Sequence, residues 1–235
     1  MRCVALLPLL VACGTESIGR NEESSLTRVL RVVEAVAFAG EVTHHGVVDA
    51  PDPPTTCPEL SGIQGFSTID YGDGCVPDSG FVLGPVAGSV RLDVGDEVST
   101  DVSGLTAGSV VLDGALTARA TPVSGLQLDL GLDGVDDLDE IEMDVTLGLG
   151  QSPPLRATGT AQLNSAGVGV PVTLEEVEIP PSGCLAQESG VATIEQGLYT
   201  VTFEFAPDGV VAVSTSRGAE GELDACPLSE PLFGD

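Results

Sequence analysis

The residues able to do chemistry are few and poorly assembled. His44 and His45 are the only histidines, and they are adjacent. Neighbours on a strand point to opposite faces, so the pair cannot hold one metal there, and both are read as loop residues. No G-x-S-x-G elbow, Walker A loop or H-E-x-x-H accompanies them, and a Ser-His-Asp site has little support. The densest acidic run is Asp133-Gly134-Val135-Asp136-Asp137-Leu138-Asp139-Glu140. Hard cations accept several carboxylate oxygens in loose geometry, which makes Asp133, Asp136, Asp137 and Asp139 a calcium candidate. The spacing is not that of an EF-hand loop, and a solvated hairpin turn accounts for it more simply. Asp70 and Asp73 around Gly72 form a second candidate, where the glycines serve backbone turns. Carboxylate pairs can hydrolyse glycosides, but among 36 acidic residues pairs arise by chance. A chain with no Trp and two Tyr also lacks stacking platforms for sugars. The expectation is a non-enzyme without a cofactor.

Cysteine chemistry is better patterned. Leu10-Val11-Ala12-Cys13 closes an apolar run from Val4 to Val11 that follows Arg2, and Gly14 comes next. This order is that of a secretory signal, and the last four residues resemble a bacterial lipobox, at which the new N-terminal cysteine is acylated. The apolar run is far shorter than the roughly 20 residues a membrane-spanning helix needs. Acylation with two or three chains makes anchoring stable where one chain does not. Gly14, in place of an inner-membrane-retaining Asp, points to the outer membrane. With Cys3 and Cys13 set aside, Cys57, Cys75, Cys184 and Cys226 remain. An even count in an exported chain reads as two disulfides. Three connectivities are possible, and the local one, Cys57–Cys75 with Cys184–Cys226, is preferred because each pair brackets one segment. No close Cys/His pairs suggest a metal.

Composition narrows the partners. Eight basic residues, all Arg, face 36 acidic ones, for a net charge of −28. That balance excludes nucleic acid, whose binding needs cationic side chains to displace counterions. A high-salt habitat, which screens self-repulsion, is a second reading of the charge. Hydrophobic residues make up 42% of the chain and aromatics 3%. The core must therefore be aliphatic.

The elements follow from periodicity. Leu26, Val29, Leu30, Val33, Val36 and Ala37 repeat as on an amphipathic helix. Ser24 or Ser25 can cap it and Gly40 can end it, with Thr27, Arg28, Arg31 and Glu34 on the other face. This helix is expected to cover one face of a sheet, unless the strands curl around it. Pro51, Pro53 and Pro54 mark a linker. Beyond Ile63, apolar and polar residues alternate along residues 90–94, 126–130, 141–145, 177–179 and 199–205, as strands with one buried face require. Asp73-Gly74, Asp113-Gly114, Asp133-Gly134 and Asp208-Gly209 read as hairpin turns. Gly88, Gly108 and Gly159 each precede a strand core in a soft rhythm of related hairpins. The gaps are too short for crossover helices. The fold class is mainly β: an antiparallel meander of about ten strands, as curved sheet, barrel or sandwich, with one N-terminal helix. The organisation is a signal peptide (1–12), lipidated cysteine and polar tether (13–24), helix and Pro-rich linker (25–56), and β-rich domain (57–235).

Cys57-Pro58, followed by Ser67-Thr68-Ile69-Asp70-Tyr71-Gly72-Asp73-Gly74-Cys75, resembles a group of uncharacterised bacterial envelope lipoproteins, as do Gly197–Phe203 and Asp208–Val211 near the C-terminus. The group has no assigned activity, so the resemblance implies only a lipid tether, a Cys57–Cys75 bridge and a β-rich body. The expected function is a structural or interaction role in the cell envelope, with membrane contact through the anchor. A carrier holding a hydrophobic ligand such as a lipid in a curved sheet is the alternative. Oligomeric state, envelope protein partner and ligand stay open.

Overall fold

The computed structural model describes residues 18–47, 57–63, 66–76, 85–94, 97–107, 110–121, 125–133, 140–148, 155–165, 167–179, 189–206 and 209–224. Helix α1 (Arg20–Val47) precedes thirteen strands: β1 (Glu59–Ile63), β2 (Phe66–Cys75), β3 (Val86–Val94), β4 (Glu97–Ala107), β5 (Val110–Thr121), β6 (Gly125–Asp133), β7 (Glu140–Gly148), β8 (Leu155–Ser165), β9 (Val168–Ile179), β10 (Gly190–Gln196), β11 (Tyr199–Phe205), β12 (Val210–Thr215) and β13 (Glu220–Asp224). They form one sheet whose spatial order is the chain order, with every neighbouring pair antiparallel. The mainly β, antiparallel class with one N-terminal helix is therefore the fold, with thirteen strands in place of about ten.

The sheet curls around the helix. α1 lies against β2, β3 and β4 on one side and β7 to β11 on the other. A sheet of this many strands leaves room for a helix, whereas about eight strands enclose only side chains. Alternate residues point inward: Ile69 and Tyr71 from β2, Val90 and Leu92 from β3, Val172 and Leu174 from β9, Val201 and Phe203 from β11. They join Leu26, Val29, Leu30, Val33 and Val36 in a single core. Val32 and Ala35 are buried as well, and no described side chain from Ser25 to Ala37 is exposed. Of the two placements expected for the helix, on one face of a sheet or wrapped by it, the second holds and the first is corrected. A helix apolar around most of its circumference is one enclosed by other elements.

The helix limits also differ from expectation. α1 starts at Arg20, so residues 20–24 belong to the folded body and not to a polar tether. Gly19 is the cap: its carbonyl accepts from the amides of Glu22 and Glu23, and its own N–H donates to Glu22 Oε2 at 2.8 Å. This is a capping box with Glu at the third helical position. Ser25 sits inside the helix, its hydroxyl donating to the Asn21 carbonyl at 2.8 Å. α1 continues past Gly40 to Val47, so His44 and His45 are helical and not loop residues. An interior glycine weakens a helix by only about 1 kcal/mol, and α1 runs through it. The described residues hold no helix long and apolar enough to cross a membrane.

Two expected turns are strand interior. Asp73-Gly74 lies within β2, where the pairing with β3 shifts register between Asp70, Gly72 and Cys75. Asp113-Gly114 lies within β5, across from a register shift between Val102 and Leu105. Gly88 and Gly159 likewise lie inside β3 and β8. A bulge asks for the same positive φ as a tight turn. At Gly72, φ is 60°, and its N–H takes a hydrogen bond to Asp70 Oδ1 at 2.8 Å. Asp133 ends β6 and Gly209 immediately precedes β12, while Gly134 and Asp208 of those expected turns, and Gly108 of the expected rhythm, lie outside the described residues.

Candidate functional site

In an up-and-down meander, alternate connections leave from the same rim. The β8–β9, β10–β11 and β12–β13 turns share one rim, as does the end of β2. α1 enters the sheet there, because its first turn meets residues beside the β10–β11 turn. Tyr199 Oη donates a short hydrogen bond to Glu22 Oε1. Gln196 Nε2 donates to Ser25 Oγ at 3.0 Å. Ile18 packs on the core and crosses Gly221 of β13 so closely that a Cβ there would lie 2.6 Å from the Ile18 side chain. The Arg217 guanidinium lies 4.8 Å from the centre of the Tyr199 ring, a cation–π arrangement. We call this end the near rim.

Glu22 and Ser25 are two of the three buried polar residues among those described. Burial pushes the Glu22 carboxyl upward. The Tyr199 hydroxyl and the Gly19 amide outweigh it, holding the carboxyl below its ordinary range. Burial, then the bond to Glu22, pushes the Tyr199 phenol above its ordinary value, with Arg217 opposing in part. Both groups are thus held in their usual neutral-pH forms, carboxylate and phenol. The hydrogen bonds join the first turn of the helix to the β10–β11 hairpin, as a clamp does. It fastens the start of the helix to the sheet.

The third buried polar residue, Glu178, accepts from Arg156 Nε at 2.9 Å and Nη2 at 2.6 Å. Glu176, at φ 53°, sits 3.7 Å from Arg156 Nη1. Its N–H donates to Thr158 Oγ1, in the region where β8 and β9 shift register. This pair straddles a strand irregularity, with Arg156 exposed and Glu178 largely covered.

Cys57 and Cys75 are joined, with Cα atoms 6.0 Å apart. Cys13, Cys184 and Cys226 lie outside the described residues, as do Asp136, Asp137 and Asp139 of the calcium candidate. Among the described residues no three His, Cys, Asp or Glu side chains come together in a way that could hold a metal. The side chains of His44 and His45 lie outside the description. The Glu22–Tyr199 clamp was missed in the sequence because its partners are 177 residues apart. The available signal was Glu22, three residues after Gly19. No family model, curated protein or solved structure matches the chain.

Proposed function

We propose that the chain is a non-catalytic lipoprotein of the cell envelope, acylated at Cys13, with a structural or interaction role. The observation that carries this reading is the occupation of the interior by the helix among the described residues. From Leu26 to Ala37 the helix takes up the concave side of the sheet, the space a carrier would need for an apolar ligand. What remains for partners is the rims and the outer strand faces. The clamp supports the same reading, since a body held by its N-terminus needs that segment fastened. Ile18 is packed on the core and lies five residues after Cys13.

The test is metabolic labelling with radioactive palmitate in cells expressing the full chain, beside the Cys13→Ala variant. Label on the parent chain and none on the variant supports the anchor. An unlabelled parent chain overturns it. Native mass spectrometry of the detergent-extracted protein tests the role: a bare mass supports structure or interaction, and a stoichiometric co-purifying lipid favours the carrier.

A further inference from the structure

Large apolar side chains exposed on the described surface are three: Leu198 at 99%, Val168 at 63% and Val76 at 53%. All three fall on the near rim. Leu198 is the tip of the two-residue β10–β11 hairpin. Val168 begins β9, which pairs with β10 and so brings Val168 beside that tip. Val76 follows the last residue of β2. Single exposed apolar residues are ordinary, but Leu198 and Val168 stand side by side, while Val76 shares the rim on the other side of the sheet. This is the rim from which the chain runs back from Ile18 toward Cys13. Five extended residues reach roughly 18 Å at most, so a lipid on Cys13 would hold this rim within that distance of a bilayer. Arg20, exposed at the first position of the helix, and Arg217, exposed over Tyr199, stand at the same end.

We propose that the near rim docks on a lipid bilayer, with Leu198 and Val168 entering the boundary between headgroups and acyl chains and Arg20 and Arg217 at the level of the phosphates. The proposal rests on the anchoring reading above. Apolar side chains with arginines beside them suit the interface plane, where shallow insertion adds to a lipid anchor, and the exposed Glu23, Glu195 and Glu220 at the same end set the depth of that insertion to a shallow one. The acidic segment between β6 and β7 leaves from this rim too, farther along the sheet. Contact is therefore made by the β8–β13 side, and a zwitterionic surface is preferred to an anionic one. Docking would fix the strands at a steep angle to the membrane and point the opposite rim away from it.

The absence of Trp supplies the probe. Leu198→Trp and Val168→Trp are made in the full acylated chain, with Glu204→Trp on the exposed outer face of β11 near the far rim as comparison. Each is reconstituted into phosphatidylcholine vesicles, with and without dibrominated chains. Flotation with the vesicles and loss of emission of L198W and V168W over brominated lipid relative to unbrominated lipid, with E204W unquenched, is the expected result. A chain that floats with L198W unquenched overturns docking and leaves the anchor standing. Equal quenching of all three overturns it as well. A blue shift of L198W that grows with protein concentration over unbrominated lipid, without bromine quenching, replaces the bilayer with a second copy. A chain that fails to float sinks the anchor and the docking together.

Discussion

Replacing Tyr199 by Phe removes one hydroxyl from the clamp and leaves the ring under Arg217. Glu22 is 8% exposed, so water replaces the lost donor poorly. A hydrogen bond to a charged group contributes about 1.5–3 kcal/mol. Glu22 keeps the Gly19 amide at 2.8 Å, which places the expected cost near the middle, about 2 kcal/mol. For a chain of this size, that lowers the melting temperature by roughly 4–8 °C. Glu22→Gln cannot serve both donors, because Tyr199 and the Gly19 amide bind different oxygens and a carboxamide has only one, so its cost at pH 7 is comparable, about 2 kcal/mol. The pH dependence separates the two effects. The Glu22 carboxyl is held below its ordinary value in the folded protein. Its contribution is therefore fully present above the unfolded carboxylate value of about 4.3 and is lost as pH falls through the lower folded value. Calorimetry or far-ultraviolet circular dichroism of wild type and E22Q from pH 7 downward supplies the comparison. The other carboxylates titrate alike in both proteins, so the difference between them isolates Glu22. The difference is expected to be constant above about pH 5 and to shrink below about pH 4. A Y199F variant as stable as wild type, or a difference independent of pH, refutes the clamp.

Other substitutions probe the sheet and its staple. Cys57→Ser with Cys75→Ser opens a bridge across 18 residues and is expected to lower stability by about 3 kcal/mol in chemical denaturation. Gly159→Ala would set a Cβ 2.7 Å from the Cα of Val145 on the facing strand. It should cost about 2 kcal/mol or more and broaden the β7–β8 resonances in nuclear magnetic resonance spectra. Val32→Asp places a charge on the helix side that a one-sided helix would leave outside, where Val32 is in fact fully buried. Loss of about 4 kcal/mol or more, seen as failure to fold cooperatively, is expected; tolerance of this change would place Val32 in water.

The strands were legible because period-2 alternation survives wherever one face is wet. Tyr199–Phe205 reads apolar inside and polar outside in both sequence and structure, with Val201 and Phe203 fully buried. The sheet order was legible too, since the short gaps permit only hairpins. The helix was read only in part. The heptad-like positions Leu26 to Ala37 identify a buried stripe, but Val32 and Ala35 widen it, and width distinguishes a covering helix from an enclosed one. Asp-Gly pairs misled for a related reason: at Asp73-Gly74 a bulge exploits the same backbone freedom as a turn, and β2 runs through it to Cys75. The clamp was out of reach of local patterns, because Tyr199 and Glu22 become neighbours only once the sheet has closed on the helix. Ser25 shows the same limit, reading as a cap by type and serving inside α1 as the acceptor for Gln196.

The account rests on α1 lying inside the sheet, and amide hydrogen exchange addresses that most directly. Peptides covering Leu26–Ala37 are predicted to exchange as slowly as those of β9 to β11, opening only with the whole domain. Exchange of the helix orders of magnitude faster than those strands, at rates of a segment that opens by itself, would contradict the enclosed helix.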